Sequence, residues 1–197
     1  MTTLKRTQIL DAALALFTVN GFHGTSTAAI ARQASVATGT LFHHFSTKEA
    51  LIEALYREVK KELAEAFLQD SAGDASPLPL EVIWVNGVRW LVSHPQKMAF
   101  ILLCSHSLYF DKKIQIEIWQ EVLGFITQFF SVGVDKGLMR DLPIPYLLTT
   151  CESILLSTAS YVHSLPEKQQ EIAIRSSISV IVGAIFLPDA DLNLLTE

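Results

Sequence analysis

Apolar residues recur at the helical period along nearly the whole chain, and this recurrence restricts the fold more than any single motif does. From Thr7 to Asn20, the residues Ile9, Ala12, Ala13, Leu16 and Phe17 stand on one face of a helix, and Asn20-Gly21 supplies a stop. Thr25, Ser26 and Thr27 offer hydroxyl caps to a short helix through Ala34, and a third short helix fits Thr38 to His44. Ser46-Thr47-Lys48-Glu49 reads as a capping box, with Ser46 accepting from the amide three residues on and Glu49 reaching back, and it opens a fourth helix to about Leu68. Ser71 to Pro79, rich in Ser, Gly, Asp and Pro, reads as a loop. Further helices are predicted over 80–93, 96–107, 112–136, 144–164 and 167–187, with His94-Pro95 and Gly137 as stops. No segment alternates as a strand would, and there is no internal repeat. The expected fold class is all-α.

Composition narrows the function classes. Of 197 residues 50% are hydrophobic and 18% charged, with a formal net charge of -5, which excludes a disordered chain. Two cysteines, Cys104 and Cys151, cannot build a disulfide framework. Met1 to Arg6 leads into Gln8 and Asp11 with no apolar signal region, so a cytoplasmic location is expected. The least charged stretches, 98–110, 153–166 and 176–188, are shorter than the roughly 18 apolar residues of a spanning helix, so no membrane partner is expected. A mean hydropathy of +0.34 still leaves much apolar surface to hide, in a subunit interface or a ligand cavity.

The charge is uneven. Residues 1–48 carry Lys5, Arg6, Arg32 and Lys48 against Asp11 alone, a net of +3, while the remainder is at -8. A basic head on an acidic body suits a head that meets a polyanion. Within that head, Thr27 to Ser46 has the layout of a helix-turn-helix, with Ile30 and Ala31 inward on the first helix, Val36 in the turn, and Leu41 and Phe45 anchoring the second. Thr38, Gly39, Thr40, His43 and His44 then face outward. Small hydroxyls and a glycine let a short helix descend into a major groove, where Thr and imidazole can bond base edges.

Residues 5 to 55, with Thr25-Ser-Thr27, Ile30-Ala31, Thr38-Gly-Thr-Leu-Phe-His-His-Phe45 and Lys48-Glu-Ala-Leu51, resemble the DNA-binding domain of the tetracycline-repressor (TetR) family. The resemblance covers about a quarter of the chain. It implies an N-terminal three-helix helix-turn-helix domain, residues 1–47, and a C-terminal helical ligand-binding and dimerisation domain, residues 48–197. It further implies base reading by Thr38, Gly39, Thr40 and His43 and phosphate contact by Thr27, His44 and Lys48, with Thr25 and Phe42 in the same DNA-binding set. Three positions depart from the family pattern: Ser35 stands for the usual turn glycine, Ala37 for a serine cap and Phe42 for a tyrosine.

In the body, Trp84, Phe100, Cys104, His106, Tyr109, Trp119 and Phe125 are candidates for an effector cavity, which the resemblance implies rather than their spacing. Residues 112–136 carry two apolar stripes and call for a helix covered on two sides. Ser153, Ser157 and Ser160 on one helix, and Ile178, Ser179 and Gly183 on the next, belong to small-residue stripes that let helix axes approach closely. They are the expected dimer interface, two helices from each subunit. The expected partners are a double-stranded DNA operator, a small-molecule effector and a second copy of the chain; no cofactor is called for. A metal pair at His43 and His44 is disfavoured because adjacent helical residues point about 100° apart. An all-helical enzyme using His94, His106 or Cys104 lacks a recognisable constellation, so no catalytic residue is expected. A protein-binding adaptor is the other rival.

Overall fold

The computed structural model describes residues 2–69, 80–107 and 110–190, so the expected loop over 71–79 and Tyr109 lie outside the described residues. The described residues form α1 (Thr2–Gly24), α2 (Thr27–Gln33), α3 (Thr38–His44), α4 (Lys48–Phe67), α5 (Leu80–Ser93), α6 (Pro95–His106), α7 (Lys112–Val122), α8 (Gly124–Asp135), α9 (Ile144–Ser164), α10 (Glu167–Ser176) and α11 (Ile178–Ile185). They divide into two compact units, one of residues 1–61 with 95–117 and the other of residues 62–94 with 118–197.

The first unit packs α1 on α2, α3 and α6. Ile9, Ala13, Phe17, Ile30, Leu41, Leu51, Phe100 and Ile101 are fully buried. Phe17, Phe22 and Phe100 form an aromatic cluster, with ring centroids 5.1 Å apart for Phe17 and Phe22, 6.1 Å for Phe22 and Phe100 and 6.4 Å for Phe17 and Phe100. Edge-to-face pairs of this kind add to simple area burial. Gly21, with φ 69°, breaks the regular helix at the expected stop, and one further turn runs to Gly24. Thr25 is buried beneath that turn, its hydroxyl donating to the carbonyls of Gly21 at 2.8 Å and Leu16 at 3.2 Å.

The helix-turn-helix connection is a Schellman motif. The Val36 amide donates to the Ala31 carbonyl at 2.9 Å and the Ser35 amide to Arg32 at 3.1 Å, which requires the left-handed conformation at Ser35, whose φ is 55°. Ser26 caps α2 by accepting from the Ala29 amide at 3.1 Å, whereas Ala37 gives α3 no side-chain cap. The α4 cap differs from the expected one: Thr47, not Ser46, accepts, from the Ala50 amide at 3.1 Å, because the helix begins one residue later than the capping-box reading supposed.

The second unit builds on α9, which packs against α5, α8, α10 and α11. Two helices expected to be continuous are broken. Residues 112–136 divide at Leu123, whose backbone (φ -115°, ψ 30°) leaves the helical region just before Gly124, a poor helix former. Residues 167–187 divide at Ser177, whose hydroxyl donates to the Ile174 carbonyl at 2.6 Å and accepts from Trp84 Nε1 at 2.8 Å, tying the junction of α10 and α11 to α5. Gly87 lets α5 come close to the ring of Phe67, where a Cβ would meet it at 2.3 Å. On the surface Arg89 grips Glu171 with two donors, and this bond, with Arg175 beside it, holds the Glu171 carboxyl below the usual carboxylate range.

Replacing Ser35 by glycine removes a left-handed strain of about 1–2 kcal/mol and gives back part of it through the freer unfolded chain, about 0.5–1 kcal/mol. A rise of roughly 1–4 °C in melting temperature is expected for Ser35→Gly. A lower melting temperature would contradict the Schellman assignment.

Candidate nucleic-acid interface

Helix α3 is pinned from beneath and open above. Leu41 is completely buried and Phe45 nearly so, while Thr38, Gly39 and His43 are exposed, Thr40 and His44 are half-buried, and Phe42 keeps 45% of its surface. The outward residues are those expected to meet a groove. No side chain intrudes on Gly39, where even an added Cβ would meet nothing within 4 Å. The imidazoles of His43 and His44 lie 5.6 Å apart, centroid to centroid, at 69°. Thr27, at the first turn of α2, is half-buried. The Phe42 ring stands at the surface without a hydrogen-bonding group, so it can offer a phosphate only contact area.

Two expected DNA-binding residues are engaged within the chain. Thr25, 2% exposed, uses its hydroxyl to hold the turn after α1. Lys48 Nζ donates to the Phe22 carbonyl, which fixes the first residue of α4 to the same corner. Arg6, counted in the sequence only as part of the basic head, has its guanidinium 5.6 Å from the Phe45 ring centroid and 3.8 Å from Glu58. Sequence reasoning passed over Lys60, which is 1% exposed with its Nζ 5.4 Å from the Tyr56 ring centroid. The signal for Lys60 was its place four residues after Tyr56, on a buried face of α4.

The residues expected in an effector cavity divide between the units. Trp84, Trp119 and Phe125 belong to the second; the first two are buried and Phe125 is half-buried. Phe100, Cys104 and His106 belong to the first. Phe100 is the far member of the Phe17 and Phe22 cluster, and the Cys104 carbonyl accepts from Gln115 Nε2 at 3.1 Å. Ser153, Ser157, Ser179 and Gly183 are exposed, and Ser160 and Ile178 are half-buried. Among the described residues no helix is long and apolar enough to cross a membrane, and no group of three or more His, Cys, Asp or Glu could hold a metal ion.

Comparison with known proteins agrees with this geometry. The pattern described as bacterial regulatory proteins, tetR family, matches residues 9–55. A crystal structure of a protein assigned to the tetR family of transcription regulators, from Shewanella sp. PV-4, is 37% identical and superposes with a TM-score of 0.83 over 93% of this chain and 98% of that one. The chain belongs to the TetR family. The HTH-type transcriptional regulator UidR of Escherichia coli K12 is 41% identical over 68 residues, which is 34% of this chain and 35% of UidR; the match to this relative thus spans about a third of its length. FadR from Bacillus subtilis, solved in complex with stearoyl-CoA, shares the fold at 20% identity, with a TM-score of 0.64 over 97% of each chain. TetR-family transcription regulators are not enzymes, which excludes the enzyme rival.

The Lys48 ammonium ties the start of α4 to the end of α1. Lys48→Met, which keeps the stem and removes the donor, is expected to cost about 1.5–3 kcal/mol of stability. An unchanged denaturant midpoint for the variant would contradict that role.

Proposed function

We propose that the protein is a dimeric, effector-responsive transcriptional regulator, acting as a repressor. Its head, residues 1–47, binds a near-palindromic double-stranded DNA operator, and its body, residues 48–197, holds a small, mostly apolar molecule that releases it. The carrying observation is α3 itself, with Leu41 buried beneath it and Thr38, Gly39 and His43 exposed above. A helix so displayed can read base edges, while the basic charge around it supplies the phosphate attraction.

Dimerisation is supported by the exposed face of α9, α10 and α11. A groove of about 650 Å³ runs there, lined among others by Ser157, Tyr161, Ile172, Ser176 and Val180. Tyr161, Ile172 and Val180 are each more than half exposed, an unusual use of large apolar side chains. The expected interface residues Ser157, Ser179 and Gly183 lie on the same helices, and Gly183 opens onto free space. A second copy laid on this face hides the apolar residues and uses the small ones for close approach. Two heads held by one such interface suit half-sites roughly 34 Å apart.

Release follows if the effector prefers a body conformation that moves the heads out of register, since a ligand shifts an equilibrium only by its differential affinity. In FadR the fold accommodates stearoyl-CoA; for this chain the apolar effector is supported by the aromatic residues buried in its second unit, Trp84, Trp119 and Phe130.

His43→Ala tests the DNA reading. The loss is expected to be about 1–3 kcal/mol on a selected operator and near zero on scrambled duplex at the same salt, because a base contact carries sequence information and a phosphate contact does not. Equal losses on both duplexes would contradict a base-reading role.

A further inference from the structure

Among the described residues of the unit formed by residues 62–94 and 118–197, one buried side-chain oxygen is left unsatisfied. Thr127 Oγ1, on α8, is buried and has no hydrogen-bond partner among the described residues. Its helical neighbours four residues before and three after, Leu123 and Phe130, are buried, so the hydroxyl interrupts an apolar seam. The seam itself was legible as one of the two stripes over 112–136; the hydroxyl within it was not singled out.

Several other helical hydroxyls among the described residues satisfy themselves locally. Thr18, Ser131, Thr149 and Ser153 each donate to the carbonyl four residues back, at 2.8 to 3.2 Å. Thr127 does not, although the Leu123 carbonyl is in place and accepts the Thr127 amide at 3.2 Å. The hydroxyl therefore makes no bond to its own helix. A buried oxygen left so carries a desolvation cost with no return inside the protein, which calls for a partner from outside. The surroundings limit what that partner can be. The fully buried polar side chains among the described residues, Thr25, Lys60 and Gln115, all belong to the other unit. A charge brought to this seam would meet no buried counter-ion among the described residues.

Resting on the reading that the body holds an apolar effector, we propose that Thr127 is the hydrogen-bonding point for that molecule, and that the effector class is an apolar skeleton bearing a neutral hydroxyl or carbonyl oxygen rather than an ionised head. The hydroxyl can donate to a carbonyl or accept from an alcohol. The break between α7 and α8 at Leu123, one turn before Thr127, makes α8 a separately placed segment that such a contact can bias.

The test uses the full-length protein with three ten-carbon probes, 1-decanol, decanoate and decylammonium, followed by the fluorescence of Trp84 and Trp119, both buried in this unit. The wild type is expected to prefer 1-decanol to both charged probes. Thr127→Val, close to isosteric, should bind 1-decanol about 3- to 10-fold more weakly, as for the loss of one hydrogen bond, while Thr127→Ser should retain most of the affinity. Without probe, Thr127→Val should melt no lower than wild type, because the orphaned hydroxyl is gone. Equal 1-decanol binding by wild type and Thr127→Val overturns the proposal, as does a wild-type preference for a charged probe or the failure of all three to bind. Salt-dependent binding of duplex DNA by the probe-free wild type, measured alongside, separates the two readings: its presence with a failed probe series overturns only the effector assignment, and its absence overturns the regulator reading.

Discussion

The corner at Phe22 holds the DNA-binding head in its shape. The Phe22 ring lies edge-on to Phe17 and to Phe100, while its carbonyl receives Lys48 Nζ. One residue thus joins the end of α1, the start of α4 and the face of α6, and Thr25 closes the turn beside it. Because α6 belongs to the same compact unit as α1 to α3, the helix-turn-helix rests on a body helix rather than hanging from a linker. The orientation of α3 is therefore a consequence of core packing, and a rearrangement of α6 could not leave Phe17 and Phe22 undisturbed.

Around this corner the head departs from ideal helix chemistry at residues close to the exposed face of α3. Ser35 takes a left-handed conformation that glycine would take without strain, and Ala37 begins α3 without a side-chain cap. Each costs of order 1 kcal/mol. The complete burial of Ile30 and Leu41 offsets them, each worth roughly 1.5–3 kcal/mol. Helix α3 owes its position to those anchors more than to its seven residues, too few to be stable alone.

The head was the more legible half of the chain. Its helices could be read from Ile9, Ala13, Phe17, Ile30 and Leu41 because each period ended at a strong signal, Gly21 or a hydroxyl cap. In the body the period persisted, and the interruptions were marked only weakly, by Gly124 and by Ser177. The break at Leu123 is a backbone change inside an apolar stripe, and Ser177 at the second break accepts a hydrogen bond from Trp84, distant in sequence. Site residues divided between local signals and contacts distant along the chain. Exposure of Thr38, Gly39 and His43 followed from local periodicity, whereas the engagement of Thr25 and Lys48 depended on backbone carbonyls that a sequence does not display. Phe100 read as a cavity residue for the same reason: its partners Phe17 and Phe22 are far away along the chain.

A head shaped to read a groove and an exposed face suited to a second copy make a joint claim about DNA. Selection of bound sequences from a pool of random duplexes with the purified full-length protein tests it most directly. The account predicts enrichment of a near-palindrome whose half-sites are about one helical turn apart or a small multiple of it, with binding that weakens as salt rises. A pool that stays random after repeated selection would contradict it.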